Sequence, residues 1–363
     1  MSYVLAFLGF AVLIILHEGG HFAAAKAVGM RVERFSLFFG PLLVKTRRGE
    51  TEYGIGPIPL GGYVKITGMN PNEEIPEEHR ARAYYNQPVW KRIFVISAGP
   101  AVNILLAFGI IWVLLLSNGQ TTQIPLTRIQ AVEHGTPAAG VLRPGDQLIS
   151  VDGVTGSEER LRHQIATHRC AGAQVLGCLA ATPVKLVVRR DGKLQAISVR
   201  PRYTATPDGG RPEIGFSFAV KNKVSYPGVA GAASGAVTGM WRVTTQTVSA
   251  IARVFEPKER KQLSGVVGVY SVTQQSFATS ASLAFQLLAL ISLSLGVINL
   301  FPFLPLDGGH IFWAVAEKLR GRRIPFVVME RAGMVGFVLI ILLFFVGLSN
   351  DIGTLAGKGF TVR

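Results

Sequence analysis

The chain has 363 residues, 49% of them hydrophobic and 16% charged, with two cysteines and a formal net charge of +15. So much apolar surface excludes a disordered chain and argues against a purely water-soluble globule, which carries about 25% charged residues; two cysteines exclude a framework of several disulfides. The basic excess suits nucleic acid or an anionic membrane surface, and long uncharged stretches without a nucleic-acid-binding motif select the lipid bilayer as partner and exclude nucleic acid.

In chain order, Met1 to Leu16 is uncharged and apolar character resumes after His17-Glu18 through Ala25, which predicts a first span at about 2–24. That span carries neither the basic n-region nor the small-residue cleavage site of a signal peptide. Residues 26–92 are rich in Lys and Arg and contain a Gly-rich, strand-like segment at about 52–68. Ile93 to Thr127 is again uncharged and predicts a second span at about 92–117. Leu283 to Leu300 centres a third at about 281–301, and Phe337 to Val346 a fourth at about 331–349. A bilayer core about 30 Å thick takes roughly 20 helical residues. The last three spans meet that length outright; the first meets it only with His17 and Glu18 inside the membrane. Arg31, Arg34, Lys45, Arg47, Arg48, Lys91 and Arg92 precede the second span, and Lys318, Arg320, Arg322, Arg323 and Arg331 lie between the third and fourth. The positive-inside rule puts both loops in the cytoplasm. Both termini and the long segment between spans two and three then face outward, in a multi-pass protein of the cell membrane.

The outward segment opens β-rich. Pro125 to Val132 alternates, Thr136-Pro-Ala-Ala-Gly and Arg143-Pro-Gly-Asp146 lead into Gln147 to Gly153, and Val184–Arg190 and Gln195–Arg200 flank Asp191-Gly192, a strong hairpin signal. This run resembles a PDZ domain of the bacterial type over about 123–203, a module that binds extended peptide at a sheet edge. The alternative is a small β domain with no ligand. Cys170 and Cys178 fall inside it, either as a disulfide or as two free thiols, and their spacing does not fit a zinc site. Residues 204–262 read as an extracytoplasmic linker, with a Gly/Ala/Ser/Thr-rich helix from Tyr226 to Phe255 closed by Glu256-Pro-Lys-Glu-Arg-Lys261. That helix is expected to lie amphipathically on the outer membrane face; Arg242 and Arg253 make a fifth span the weaker alternative.

The chemistry is concentrated in His17-Glu18-Gly19-Gly20-His21. On an α-helix, positions i and i+4 share a face, so both imidazoles reach one metal ion. Two histidines and a carboxylate in an apolar span are costly unless they function; the bland reading is a histidine pair bonded between helices. A catalytic zinc needs three protein ligands and an open position. Asp307 is the first charged residue after Lys261 and follows Pro302 and Pro305, which break the helix. Irregular backbone at membrane depth occurs only where it lines a cavity or is buried, so Asp307 is a candidate third ligand. Capping of the next helix is its structural alternative, and His310 is a weaker competitor. Counted from the outer end, His17 lies about 22 Å down the helix at 1.5 Å per residue, in the inner leaflet.

The His17–His21 motif, the PDZ-like insert and Asn299…Leu306-Asp307-Gly308 together resemble the site-2 protease family of zinc intramembrane proteases, and more narrowly its bacterial members with four spans and one extracytoplasmic PDZ domain. Gly56-Pro-Ile-Pro-Leu-Gly-Gly-Tyr-Val-Lys65 resembles the family's membrane-reentrant β element. Ser97-Ala-Gly-Pro-Ala-Val-Asn103 resembles the opening of its second core helix, and Leu263-Ser-Gly265 the approach to its third. The second proline of the Asp-bearing loop, at 305, departs from relatives that carry it one residue earlier.

The resemblance implies a polytopic α-helical membrane protein whose metalloprotease core, 1–122 and 263–363, surrounds the extracytoplasmic β-rich insert. It implies Zn2+ held by His17, His21 and Asp307, with Glu18 as general base. Asn299 and the strand carrying Gly61, Gly62 and Tyr63 are expected to bind an unwound substrate, the strand through its free edge. The expected substrate is the transmembrane segment of another membrane protein, cut in regulated intramembrane proteolysis. An anti-sigma factor already trimmed by another protease, or a remnant signal peptide, fits that description. The PDZ domain is expected to gate the substrate ectodomain or bind a peptide. Two other classes stay open from the residues alone. A non-enzymatic PDZ-bearing membrane scaffold has no use for Glu18, and a metal transporter repeats polar residues across several spans.

Overall fold

The computed structural model describes residues 1–70, 73–205, 210–253, 256 and 265–357. Its longer helices are α1 (Ser2–Ala27), α2 (Val89–Asn118), α3 (Glu158–Ala166), α4 (Val229–Ala252), α5 (Val266–Thr279), α6 (Ala281–Asn299), α7 (Asp307–Arg320) and α8 (Phe326–Ala356). The strands are β1 (Val32–Phe39), β2 (Val44–Arg48), β3 (Thr51–Ile55), β4 (Ile58–Ile66), β5 (Gln120–Val132), β6 (Gln147–Val151), β7 (Val184–Arg190), β8 (Lys193–Val199), β9 (Arg202–Thr204), β10 (Arg211–Glu213) and β11 (Phe216–Ser225). They group into two compact units, Met1–Asn118 with Pro227–Arg363, and Gly119–Tyr226.

In the first unit, α1, α2, α6 and Val327–Ala356 of α8 are long and apolar enough to cross a membrane. Their bounds lie within a few residues of the expected spans, except that α8 runs further at both ends. Phe337, Val338 and Phe345 of α8 are exposed, an apolar exterior that suits lipid and not water. The sheet order is β2-β3-β1-β4, with β1 parallel to β3 and antiparallel to β4, which leaves β4 at an edge. This sheet begins at Val32, well before the segment expected at 52–68. The strand pattern of β1 is masked by Glu33 and Arg34, which the fold neutralises across the sheet with Lys65 at 2.7 Å and Glu52 at 2.8 Å.

Helix α4, expected as an amphipathic helix on the outer membrane face, packs one side on the helices of this unit. It buries Ala232, Ala236 and Met240 at i, i+4 spacing, and Met240 packs with Ala107 of α2 and with Leu293 and Val297 of α6. Small side chains on one face let helix axes approach closely, and that face outweighs the polar composition around it. Most of the charge run at 256–261, and Leu263 and Ser264 of the segment quoted above, lie outside the described residues.

The second unit is a five-stranded sheet ordered β11-β5-β6-β7-β8. Leu161 and Ile165 of α3 pack with Ile129, Leu148, Val151, Val184, Leu186 and Val188 in its core. The β7–β8 hairpin turns at Asp191-Gly192, both with positive φ, as that dipeptide predicts. The unit runs on to Tyr226 and not to the expected 203, because Ile214, Phe216 and Phe218 complete the core and β11 pairs along β5. Cys170 and Cys178 form a disulfide.

Asp146 is 2% exposed and buried in the turn before β6. Arg190 donates to it through Nε at 2.8 Å and Nη2 at 2.6 Å, and the Arg143 amide donates at 2.9 Å. The Arg190 guanidinium holds its carboxyl below the ordinary aspartate range, with the Arg143 amide adding to the effect. A depressed folded-state value stabilises fully above the unfolded-state pKa, about 3.9, and the contribution drains as pH falls towards the folded-state value. Amide hydrogen exchange across β5–β8 should therefore show protection that weakens as pH drops below about 5. Asp146→Ala, which leaves the half-buried Arg190 guanidinium with only the Val141 carbonyl, should cost about 2 kcal/mol at neutral pH and remove that acid sensitivity.

Candidate metal centre

The uninterrupted apolar helix α1 sets His17 and His21 on its buried side, with ring centroids 5.0 Å apart and edge to face. Helix α2 fixes both rings from behind. His21 Nδ1 donates to the Val95 carbonyl at 2.9 Å, leaving Nε2 free. His17 Nδ1 faces the Asn103 side-chain amide at 3.2 Å. The atom placed there is Nδ2, and Asn103 Oδ1 is buried without a partner among the described residues; turning the amide over would let Oδ1 accept from a protonated Nδ1. At Gly99 of α2 any Cβ would collide with the His21 ring, so this position must be glycine for the ring to occupy its place.

The third donor arrives from the far end of the chain. Helix α6 ends at Asn299, the Pro302–Pro305 segment breaks the helix, and Asp307 opens α7 as its first residue. The cap position is Leu306 and no side chain caps α7, so Asp307 does not spend its carboxylate there. Gly308 folds so tightly against the Leu300 carbonyl that a side chain has no room. Asp307 Oδ2 stands 3.4 Å from His17 Nε2 and 3.4 Å from His21 Nε2. It is buried and has no hydrogen-bond partner among the described residues.

Among the described residues, His17, His21 and Asp307 are the group of three or more such side chains able to converge on one ion, with donor atoms within 4.8 Å of one another. A tetrahedral zinc at about 2.0–2.2 Å from each donor sets donors about 3.3–3.6 Å apart, so the donor set and the orphaned carboxylate oxygen fit such an ion. His310, the competing candidate, is not in the group.

Helix α7 is held in register by Arg92 of α2. Its guanidinium makes two 3.0 Å contacts with Glu317 and lies over the rings of Tyr84 and Tyr85. Arg92 is 4% exposed, and a buried pair of this kind is costly to break because one charge is left unpaired.

Strand β4 runs beside the same stretch of α1. A Cβ at Gly62 would stand 2.8 Å from Glu18 Cγ, so the strand backbone lies directly against the Glu18 side chain. Tyr63 points to the other face, where its hydroxyl accepts from Arg34 at 3.1 Å and its ring stacks on Phe39. Gly61 faces that Phe39 ring too. Of the three expected substrate-contact positions on this strand, only Gly62 therefore faces Glu18; Gly61 and Tyr63 have only backbone to offer at the site. Glu50 ties the sheet to α1, accepting from Arg82 at 2.7 and 2.8 Å and from Lys26 at 2.6 Å. The Arg82 guanidinium, aided by Lys26, holds its carboxyl down at about 2. Asn299 Nδ2 lies 3.3 Å from His17 Nε2, beside the donor group.

From the sequence, Ser97–Asn103 is only a helix opening and Arg92 only a cytoplasmic loop charge; Val95, Gly99 and Asn103 carry no role there. The available signal was local: a Gly and an Asn spaced by four on an apolar helix. Gly99→Val should push the His21 ring aside and lower bound-metal content by about tenfold or more. Gly19→Ala, where a Cβ meets nothing within 4 Å, should leave it unchanged; elemental analysis of purified protein checks both.

The chain matches peptidase family M50 over residues 5–343. Zinc metalloprotease Rip1 of Mycobacterium tuberculosis is 33% identical over 358 residues, covering 87% of this chain and 86% of that protein. A candidate zinc metalloprotease of Brucella suis is 30% identical over 350 residues, covering 91% and 89%. Among solved structures, the PDZ domain of an SdrC-like protein from Listeria innocua is similar at 21% identity and a TM-score of 0.21, covering 28% of this chain and 99% of that one. The chain belongs to peptidase family M50, the site-2 protease family, and is a zinc-dependent metalloendopeptidase of the membrane.

Proposed function

We propose that this protein hydrolyses a peptide bond inside the transmembrane segment of another membrane protein, as the second cut of regulated intramembrane proteolysis. The observation that carries the reading is the convergence of His17, His21 and Asp307 on one point of an apolar helix, with a sheet edge against Glu18. His17, His21 and Asp307 are the proposed zinc ligands. Bound there, zinc supplies a Lewis acid and lowers the pKa of water towards ~7.

Glu18 takes the proton of the attacking water and returns it to the leaving amine. The outer edge of β4, unpaired among the described residues, receives the unwound substrate as an added strand. Asn299 has its N–H 3.3 Å from His17 Nε2. With that nitrogen committed to the ion, the amide is free to donate to the scissile carbonyl. Such a preorganised donor, aimed where charge develops, is worth about 10²–10³ in rate.

The topology we propose has both termini and the 119–226 unit outside the cell, and β1–β4 re-entering the membrane from the cytoplasmic side. The outer unit is proposed as a PDZ-like domain that screens substrate ectodomains or binds a peptide terminus. Substrates trimmed beforehand by another protease then pass, and untrimmed ones do not.

Glu18→Gln should keep zinc and lower cleavage by about 10²–10⁴-fold, with one uncut membrane protein accumulating in cells. A scaffold would work unchanged with that substitution. Asn299→Ala should keep zinc while cleavage falls by about 10² or more; loss of the metal instead would reassign Asn299 to the metal shell. Removing residues 119–226 should allow cleavage of untrimmed substrate, and unchanged selectivity in that variant argues against the screening role.

A further inference from the structure

Helix α7 uses one side for the protein and leaves the other apolar. Ala314 is buried, Ile311 packs into the core beside Val95 and Ile96 of α2, and Glu317 holds Arg92. On the opposite side Phe312, Val315 and Leu319 follow i, i+3, i+7 spacing and are all exposed, Leu319 by 84%. At 100° per residue, Lys318 and Arg320 flank that stripe on its two sides. Arg322 follows directly after Gly321, the left-handed residue that ends the helix.

Lys318, Arg320 and Arg322 are exposed and have no ion-pair or hydrogen-bond partner among the described residues, whereas Arg323 is committed to the Tyr85 carbonyl. The Arg92–Glu317 pair joins the first turns of α2 to the last turns of α7, so Trp90, 60% exposed at the start of α2, belongs to the same end of the unit.

An apolar stripe with free cations on both edges suits a bilayer interface and not a solvated face, and an exposed tryptophan at that level matches the aromatic belt of membrane proteins. The charges are of one sign and unpaired, which selects an anionic headgroup over a zwitterionic one. We propose that the outer face of α7 and the turn after it bind anionic phospholipid, with Phe312, Val315 and Leu319 among the acyl chains and Lys318, Arg320 and Arg322 on the phosphates. The site stands apart from the metal centre and does not depend on the protease reading.

The test uses the full chain in phosphatidylcholine vesicles carrying spin-labelled phosphatidylglycerol or spin-labelled phosphatidylcholine, read as the motionally restricted fraction. Wild-type protein should restrict phosphatidylglycerol several-fold more at low salt. The K318Q/R320Q/R322Q variant should lose most of that preference while keeping its zinc content, and the single R320Q variant should lose about a third of the free-energy preference. K45Q/R47Q/R48Q, on β2, should keep it. Equal restriction of the two lipids by wild type, a preference that survives the α7 substitutions, or one abolished equally by the β2 substitutions would each overturn the proposal.

Discussion

Everything functional in this chain depends on keeping two imidazoles and a carboxylate in contact inside helices that are otherwise apolar. Such groups have little water to solvate them, and a buried carboxylate oxygen without a hydrogen bond is costly. Among the described residues no Lys or Arg pairs with that carboxylate, although Arg92 stands on the neighbouring helix and is spent on Glu317. On the proposed ligand set, that polarity is kept for a cation that the donor geometry fits.

Helix α2 is the template for this arrangement. It accepts from His21 through Val95, faces His17 with Asn103, makes room for the His21 ring at Gly99, and anchors α7 through Arg92. None of these residues is a proposed ligand, yet each fixes a ligand or the helix that bears one. Outer-shell partners of this kind fix ring tautomer and orientation and contribute strongly to metal affinity. The sheet has an analogous role towards Glu18, because its edge strand is pressed against that side chain at Gly62 and is tied to the end of α1 through Glu50.

The four long apolar helices were legible because uncharged length is a one-dimensional signal. His17 and His21 were legible for a similar reason, since helical spacing alone puts them on one face. Asp307 was legible only as a lone carboxylate beside helix-breaking prolines. The template residues of α2 were not legible, because their role is to meet side chains from distant parts of the chain. The face that α4 packs on its neighbours, Ala232, Ala236 and Met240, was not read from its polar composition, although small residues at that spacing are a packing signal. The end of the outer unit was missed because β11 pairs with a strand almost a hundred residues earlier, and no local pattern announces such a partner.

The donors come from α1 and α7, elements far apart in the chain, so that α1 is made well before α7. While the ribosome is still producing the middle of the chain, the nascent protein exposes two imidazoles and no carboxylate to join them. Two donors cannot form a three-ligand catalytic zinc site. On the proposed ligand set, hydrolytic capacity therefore waits until the third span has been made and Asp307 has folded back onto the first helix.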